Sequence, residues 1–288
     1  VFAGPNWFLG VLFVFATAHL PAIYLAKWTE ADTHLPFRCA LLAIMTGGMI
    51  FCVIPALIMK AMGGTWDVLD RPAWTIVLTA GLLAITSLIG IAANQSLCLQ
   101  GQGTPIPLDP TKRLVTSGIY GYLSNPMQLS AASSWLVLGA FLHNIWIMAA
   151  SLMAWVFVQG MVRWHHRNDL LKRFPVGWPD YKANVPEWFP RWHPSLRACA
   201  TLHLCASSRL HRRVALWLGS ATQLRIQWSD NPLPHYKNPE NVYDFDGLCA
   251  IAAAFMHLNF AYALIGQAWL LLALPARSLT GWILKGQK

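Results

Sequence analysis

Residues 101–127 read GQGTPIPLDPTKRLVTSGIYGYLSNPM, a polar stretch punctuated by glycine and proline and set between long apolar runs. A loop between membrane helices needs only a turn and some charge. This one carries an ordered series of special backbone positions. Gly101 and Gly103 allow close backbone approach to a ligand, or a positive φ. Pro105, Pro107 and Pro110 stiffen the chain into an extended path. Lys112 and Arg113 can meet headgroup phosphates or a carboxylate. Ser117-Gly118 makes a turn. Tyr120 and Tyr122 then offer ring faces with hydroxyl handles, suited either to ligand contact or to anchoring at a membrane interface. Asn125-Pro126 is a helix-start signal, with Asn as cap and Pro at the first position. Such a start leaves free N–H groups and positive partial charge facing the loop. The stretch is where a water-soluble ligand would meet an apolar protein.

The flanking sequence says what kind of apolar protein. The chain of 288 residues is 56% hydrophobic and only 11% charged, against about 25% charged in soluble domains. Lipid is therefore the expected solvent for much of it. A spanning helix needs about 20 mostly apolar residues. Candidate spans lie at 7–26, 39–59 and 72–93 before the loop, and at 129–142 and 145–162 after it. The last two are separated only by His143-Asn144 and read as a helical hairpin. The 129–142 run is short for a full span and fits a tilted or partly buried helix. The expected fold is all-α integral membrane, with about five transmembrane helices including this hairpin, plus a small α/β-like C-terminal extension.

Charge sets the expected orientation. The net charge is +9, but the basic residues cluster beside apolar segments. They read as topology signals and headgroup contacts, with no nucleic-acid partner implied. Lys27, Arg38, Lys112, Arg113 and the basic segment from Arg163 to Arg191 fall on one side of a five-span arrangement. By the positive-inside rule the motif loop and the C-terminal extension then face the cytoplasm. The six cysteines form no CxxC pair. They give neither a disulfide framework nor a metal site.

After the hairpin, residues 163–194 are polar, aromatic and proline-rich and end in VPEWFPRWHP, a texture suited to the membrane interface. Residues 197–218 read as a basic amphipathic helix and 223–228 (QLRIQW) as a strand, while 231–246 reads as a polar loop. Residues 248–274 are apolar for 27 positions with few polar interruptions. They suit either a sixth span or amphipathic helices packed on the membrane part. The chain divides into residues 1–194 and an extension, 195–288.

The order GxGTPxPxxPxxxLVxxGxYxxxxNPM resembles the superfamily of isoprenylcysteine carboxyl methyltransferases and phospholipid N-methyltransferases. The matching positions are Gly103, Thr104, Pro105, Pro107, Leu114, Val115, Gly118, Tyr120, Asn125, Pro126 and Met127. A second block, HRNDLLKRFPVGWPDYKANVPEWFP, matches at Asp169, Leu170, Phe174, Tyr181, Val185, Pro186 and Pro190. The resemblance spans roughly residues 40–194. It implies a membrane enzyme, in contact with membrane lipids, that takes S-adenosylmethionine and methylates a lipophilic small-molecule acceptor. It implies a cofactor pocket at Gly103, Thr104, Pro105, Gly118, Tyr120, Tyr122, Asn125 and Pro126. Arg163, His166 and Asp169 would sit near the reacting centre, with His166 and Asp169 as candidate proton-handling groups. The chain departs from the family at Ser124, where an arginine is common, and in lacking the acidic residue about four positions before Leu170. Those departures keep open a catalytically quiet membrane scaffold with protein partners in a larger complex, and a membrane reductase of related architecture. The tail from Arg209 onward resembles, more weakly, the DCC family of thioredoxin-like thiol-disulfide proteins. Cys205-Ala-Ser-Ser208 stands where that family carries two cysteines. With no resolving thiol, no dithiol cycle is expected.

Overall fold

The structure, a computed structural model, describes residues 6–106, 109–241 and 244–285, with side chains as far as residue 273. Pro107 lies outside the described residues. The apolar part is built from α1 (Trp7–Glu30), α2 (Leu35–Met62), α3 (Ala73–Leu99), α4 (Pro126–Phe141) and α5 (Ile145–Arg173). Among the described residues, α1, α2, α3 and α5 are each long and apolar enough to cross a membrane. Four helices thus meet that criterion where about five were expected. The exception is α4, whose 16 residues rise only ~24 Å against a hydrocarbon core of ~30 Å. It starts where Asn125-Pro126 signals. It packs on α3 through small polar side chains, with Thr86 Oγ1 and Ser134 Oγ at 2.9 Å, a close approach typical of helices that share lipid.

Polar contacts gather at the two ends of this bundle. At one end the buried Arg38 guanidinium donates to Asp109 (2.8 Å) and to Asp32 (3.1 Å), and Lys112 also reaches Asp32. The loop before α2 and the motif loop are thereby joined. At the other end Asn144 Nδ2 donates to the Gly63 carbonyl (2.9 Å), and Arg71 meets His143 (2.8 Å). The hairpin tip and the α2–α3 loop therefore share that end. Asn144 also caps α5, its Oδ1 accepting from Trp146 N and Ile147 N. Short as it is, α4 reaches from one end of the bundle to the other.

After α6 (Gly177–Asn184) the chain forms β1 (Ala200–Cys205), α7 (Arg209–Trp217), β2 (Leu224–Ser229), β3 (His235–Lys237) and β4 (Phe245–Asp246). The sheet order is β2-β1-β3-β4, with β1 parallel to β2 and antiparallel to β3. The expected basic helix over 197–218 is corrected: its first part is β1. Ala200, Leu202 and Leu204 alternate with Thr201 and His203, and the three apolar side chains enter a common core with Val214, Ala215, Leu224 and Ile226. That period of two outweighs the helical pattern of the longer window. The expected polar loop over 231–246 likewise contains β3 and β4. Both pair along the sheet because Tyr236 and Phe245 point into the same core.

The long apolar run breaks into α8 (Leu248–Phe255) and α9 (Phe260–Lys285). Asn259 Oδ1 accepts from Tyr262 N and so starts α9. α8 is too short to cross a bilayer and buries Cys249, Ala250 and Ala252–254 against the sheet. The extension is docked on the motif loop and on Trp192. Tyr122 Oη donates to the Met256 carbonyl (2.9 Å), Thr116 Oγ1 to Glu240 (2.9 Å) and Phe260 N to the Trp192 carbonyl (3.0 Å).

Candidate functional site

The motif loop folds back on itself before it reaches α4. Lys112 N donates to the Gly101 carbonyl (2.7 Å) and Thr104 N to that of Asp109 (2.9 Å). A Cβ at Gly103 would lie 2.6 Å from backbone atoms of Thr111, so glycine there permits the closure. Gly118, at φ +62°, begins a short 3₁₀ turn, Gly118–Gly121. The chain then enters α4, whose cap residue Asn125 makes no side-chain hydrogen bond to the helix.

Beside this helix start lies a cavity of about 240 Å³, an order of magnitude above the ~10–15 Å³ that one water needs. One wall is the motif loop, with Thr104, Pro105, Tyr120, Ser124, Asn125 and Pro126; another is the end of α5, with His165, His166 and Arg173. Phe157, Met161, Val162 and Trp164 make an apolar side to it. Asn125 is 2% exposed, and its Nδ2 has no hydrogen-bond partner. A buried donor left unmade costs about 1–3 kcal/mol. Met127 and Gln128, whose amides an α-helix start leaves free, line the same space. The cavity therefore lies at the positive end of a helix, beside an unpaired N–H donor.

The second sequence block closes the other side. Tyr181 Oη donates to the Tyr120 carbonyl (2.9 Å), and Trp178 packs against the His166 ring with centroids 4.5 Å apart. Burial pushes the phenols of Tyr120 and Tyr181 up, so both stay neutral. Ser124, where the resembled family often has arginine, donates from N (2.8 Å) and Oγ (3.2 Å) to the Pro186 carbonyl. It fastens the two blocks to each other.

Of the residues that the resemblance points to, Thr104, Pro105, Tyr120, Asn125, Pro126 and His166 line this cavity. Gly103 stands behind it, against Thr111. Gly118 faces a separate small cavity of about 20 Å³ beneath the extension. Tyr122 is buried and spends its hydroxyl on Met256. Asp169 pairs with Arg173 (2.9 Å) and approaches His165 (3.6 Å). Arg163 reaches Glu187 at 3.8 Å. Glu187 is the acid that sequence reasoning missed. Lys182 beside it, with help from Arg163 and His166, holds its carboxyl below the usual carboxylate range. The signal was in the sequence, as the one carboxylate in the VPEWFP that ends the second block.

Comparison with known protein families, with curated proteins and with solved structures finds no match to this chain. What stands is the architecture: a mostly helical chain with, among the described residues, four helices long and apolar enough to cross a membrane, and a small C-terminal sheet.

Proposed function

We propose that this chain is a membrane-embedded methyltransferase that uses S-adenosylmethionine and acts on a lipophilic acceptor, with the motif loop and the C-terminal extension on the cytoplasmic face. The observation that carries this reading is the unpaired, buried Nδ2 of Asn125 in a cavity at an open helix start. Such a site favours a carboxylate, which an amino-acid-derived cofactor brings. When bound, that cofactor supplies an electrophilic methyl group on a sulfonium. Asn125 and the first amides of α4 hold its carboxylate, and the faces of Tyr120, Trp178 and Tyr181 suit a nearby cation. Phe157, Met161, Val162 and Trp164 receive the lipophilic acceptor. The protein's main contribution is alignment and the exclusion of water. His166 takes a proton where the acceptor carries one.

The test is transfer of a labelled methyl group. Protein in nanodiscs made from cellular lipid is incubated with methyl-labelled S-adenosylmethionine, and the organic phase is counted. Label is expected with the native chain, reduced about 100-fold in His166→Ala. No label in any lipid fraction, from folded protein, contradicts the reading. A second reading, the catalytically quiet accessory subunit, is favoured by the engagement of Asp169 with Arg173 and of Arg163 with Glu187 in ion pairs. It predicts stable co-purification with partner proteins and indifference to Asn125→Ala and Tyr120→Ala.

A further inference from the structure

The C-terminal extension carries a surface that the cavity does not use. α7, RLHRRVALW, buries His211 and the adjoining Leu218 and turns Arg209, Arg212 and Arg213 outward, with no acidic residue on the helix. All three arginines lie in its first five positions, at the helix end where cations are disfavoured. An arrangement that costs stability in isolation is offset by an external anion. The same face is also apolar. Leu216 is 83% exposed and lies on the helix between Arg209 and Arg212, and Leu210 and Trp217 flank them. Interleaved arginine, leucine and tryptophan are the signature of a helix that lies in a lipid interface.

The surface continues into α9. The Trp217 ring meets Tyr262 edge-on with centroids 4.9 Å apart. From there Ala261, Ile265, Trp269 and Leu272 form an exposed stripe at helical spacing, with Leu272 79% exposed and no charge among residues 260–273. α9 also packs on the last turns of α3. Phe260 and Leu264 lie against the cluster of Ile89, Ala92 and Ala93, and Gln267 bonds to Gln95. The stripe therefore stands beside the end of a candidate membrane span, where headgroups begin.

We propose that α7 and α9 form one lipid-facing surface that lays the C-terminal extension on an anionic leaflet, the α9 stripe in the acyl boundary and the three α7 arginines on headgroup phosphates. Methyl transfer is not required for this. It rests only on α3 entering a bilayer, which incorporation into neutral nanodiscs reports separately. The experiment is hydrogen–deuterium exchange on the full chain in nanodiscs of phosphatidylcholine alone and with phosphatidylserine added. Amides of residues 209–217 are expected to exchange about five-fold more slowly per arginine engaged in the anionic discs. The difference should vanish at high salt and in the triple variant Arg209→Gln, Arg212→Gln, Arg213→Gln, while β1 and β2 keep their protection and so report an intact fold. Equal exchange of 209–217 in both lipids overturns the proposal. So does protection that appears only when RNA is added, which would assign the arginines to a nucleic acid.

Discussion

Asn125 carries a cost. Its side chain is buried and its Nδ2 is unpaired, so the fold gives up stability at this position. Replacing it with Leu, a side chain of similar size, removes the orphan donor. Asn125→Leu is expected to keep or raise the unfolding temperature, measured by thermal melting in detergent. A pronounced drop would mean that the amide serves the fold and not a ligand. Arg38 is the opposite case. It is 1% exposed and paired with Asp109, and removing one partner of a buried pair costs about 3 kcal/mol or more. Arg38→Met should therefore lower the melting temperature strongly. Part of the cavity wall could be read in the sequence because its residues are specialised for backbone shape, as Pro105 and Asn125-Pro126 are. The charged residues could not be read so well. The pairing of Asp169 with Arg173 follows from helical spacing, but only the three-dimensional arrangement tells that Glu187 comes up beside Arg163.

At the scale of elements, hydropathy located the long helices well, since length and apolarity decide them. It failed at residues 200–205, where a six-residue strand hid inside a window that averaged to a basic helix. It left 248–274 open because hydropathy does not reveal a helix break. The break is made by His257 and Asn259. His257 Nδ1–H donates to the Thr222 carbonyl (2.8 Å), which leaves Nε2 to accept from Tyr236 Oη (2.7 Å). Burial lowers its pKa to about 4. The unfolded chain therefore binds more protons than the folded one between about pH 6.5 and about 4. Stability from this neutral imidazole is complete above that window and is lost as pH falls through it, on the order of 3 kcal/mol in total. Exchange protection of β1 and β3 should fall from pH 7 to pH 5, and the fall should be smaller in His257→Gln. Packing of α8 on α9 gives a second check. A Cβ at Gly266 would stand 2.2 Å from the Ala252 carbonyl oxygen, so Gly266→Ala should destabilise the extension while the exchange of α3 and α5 stays unchanged.

For the whole molecule, the two-ended arrangement of polar contacts makes a topological prediction. The start of α2 with Arg38 and the motif loop share one end, and the α2–α3 loop shares the other with the hairpin tip. With the first end cytoplasmic, a membrane-impermeant amine reagent added to intact cells should modify Lys60 and spare Lys27 and Lys112 until the cells are lysed. Modification of all three in intact cells, or the reverse pattern, contradicts the orientation. The docking of the extension on the motif loop through Tyr122 and Thr116, and on Trp192 through Phe260, could not be foreseen from sequence, because each contact joins residues more than sixty positions apart. The most direct measurement of the central claim is equilibrium binding of S-adenosylmethionine to the purified, folded chain by calorimetry. Saturable binding at one site is predicted, weakened about tenfold or more in Asn125→Leu, in line with the loss of a charge-assisted hydrogen bond. No saturable binding at millimolar cofactor, or equal affinity in Asn125→Leu, would contradict the account.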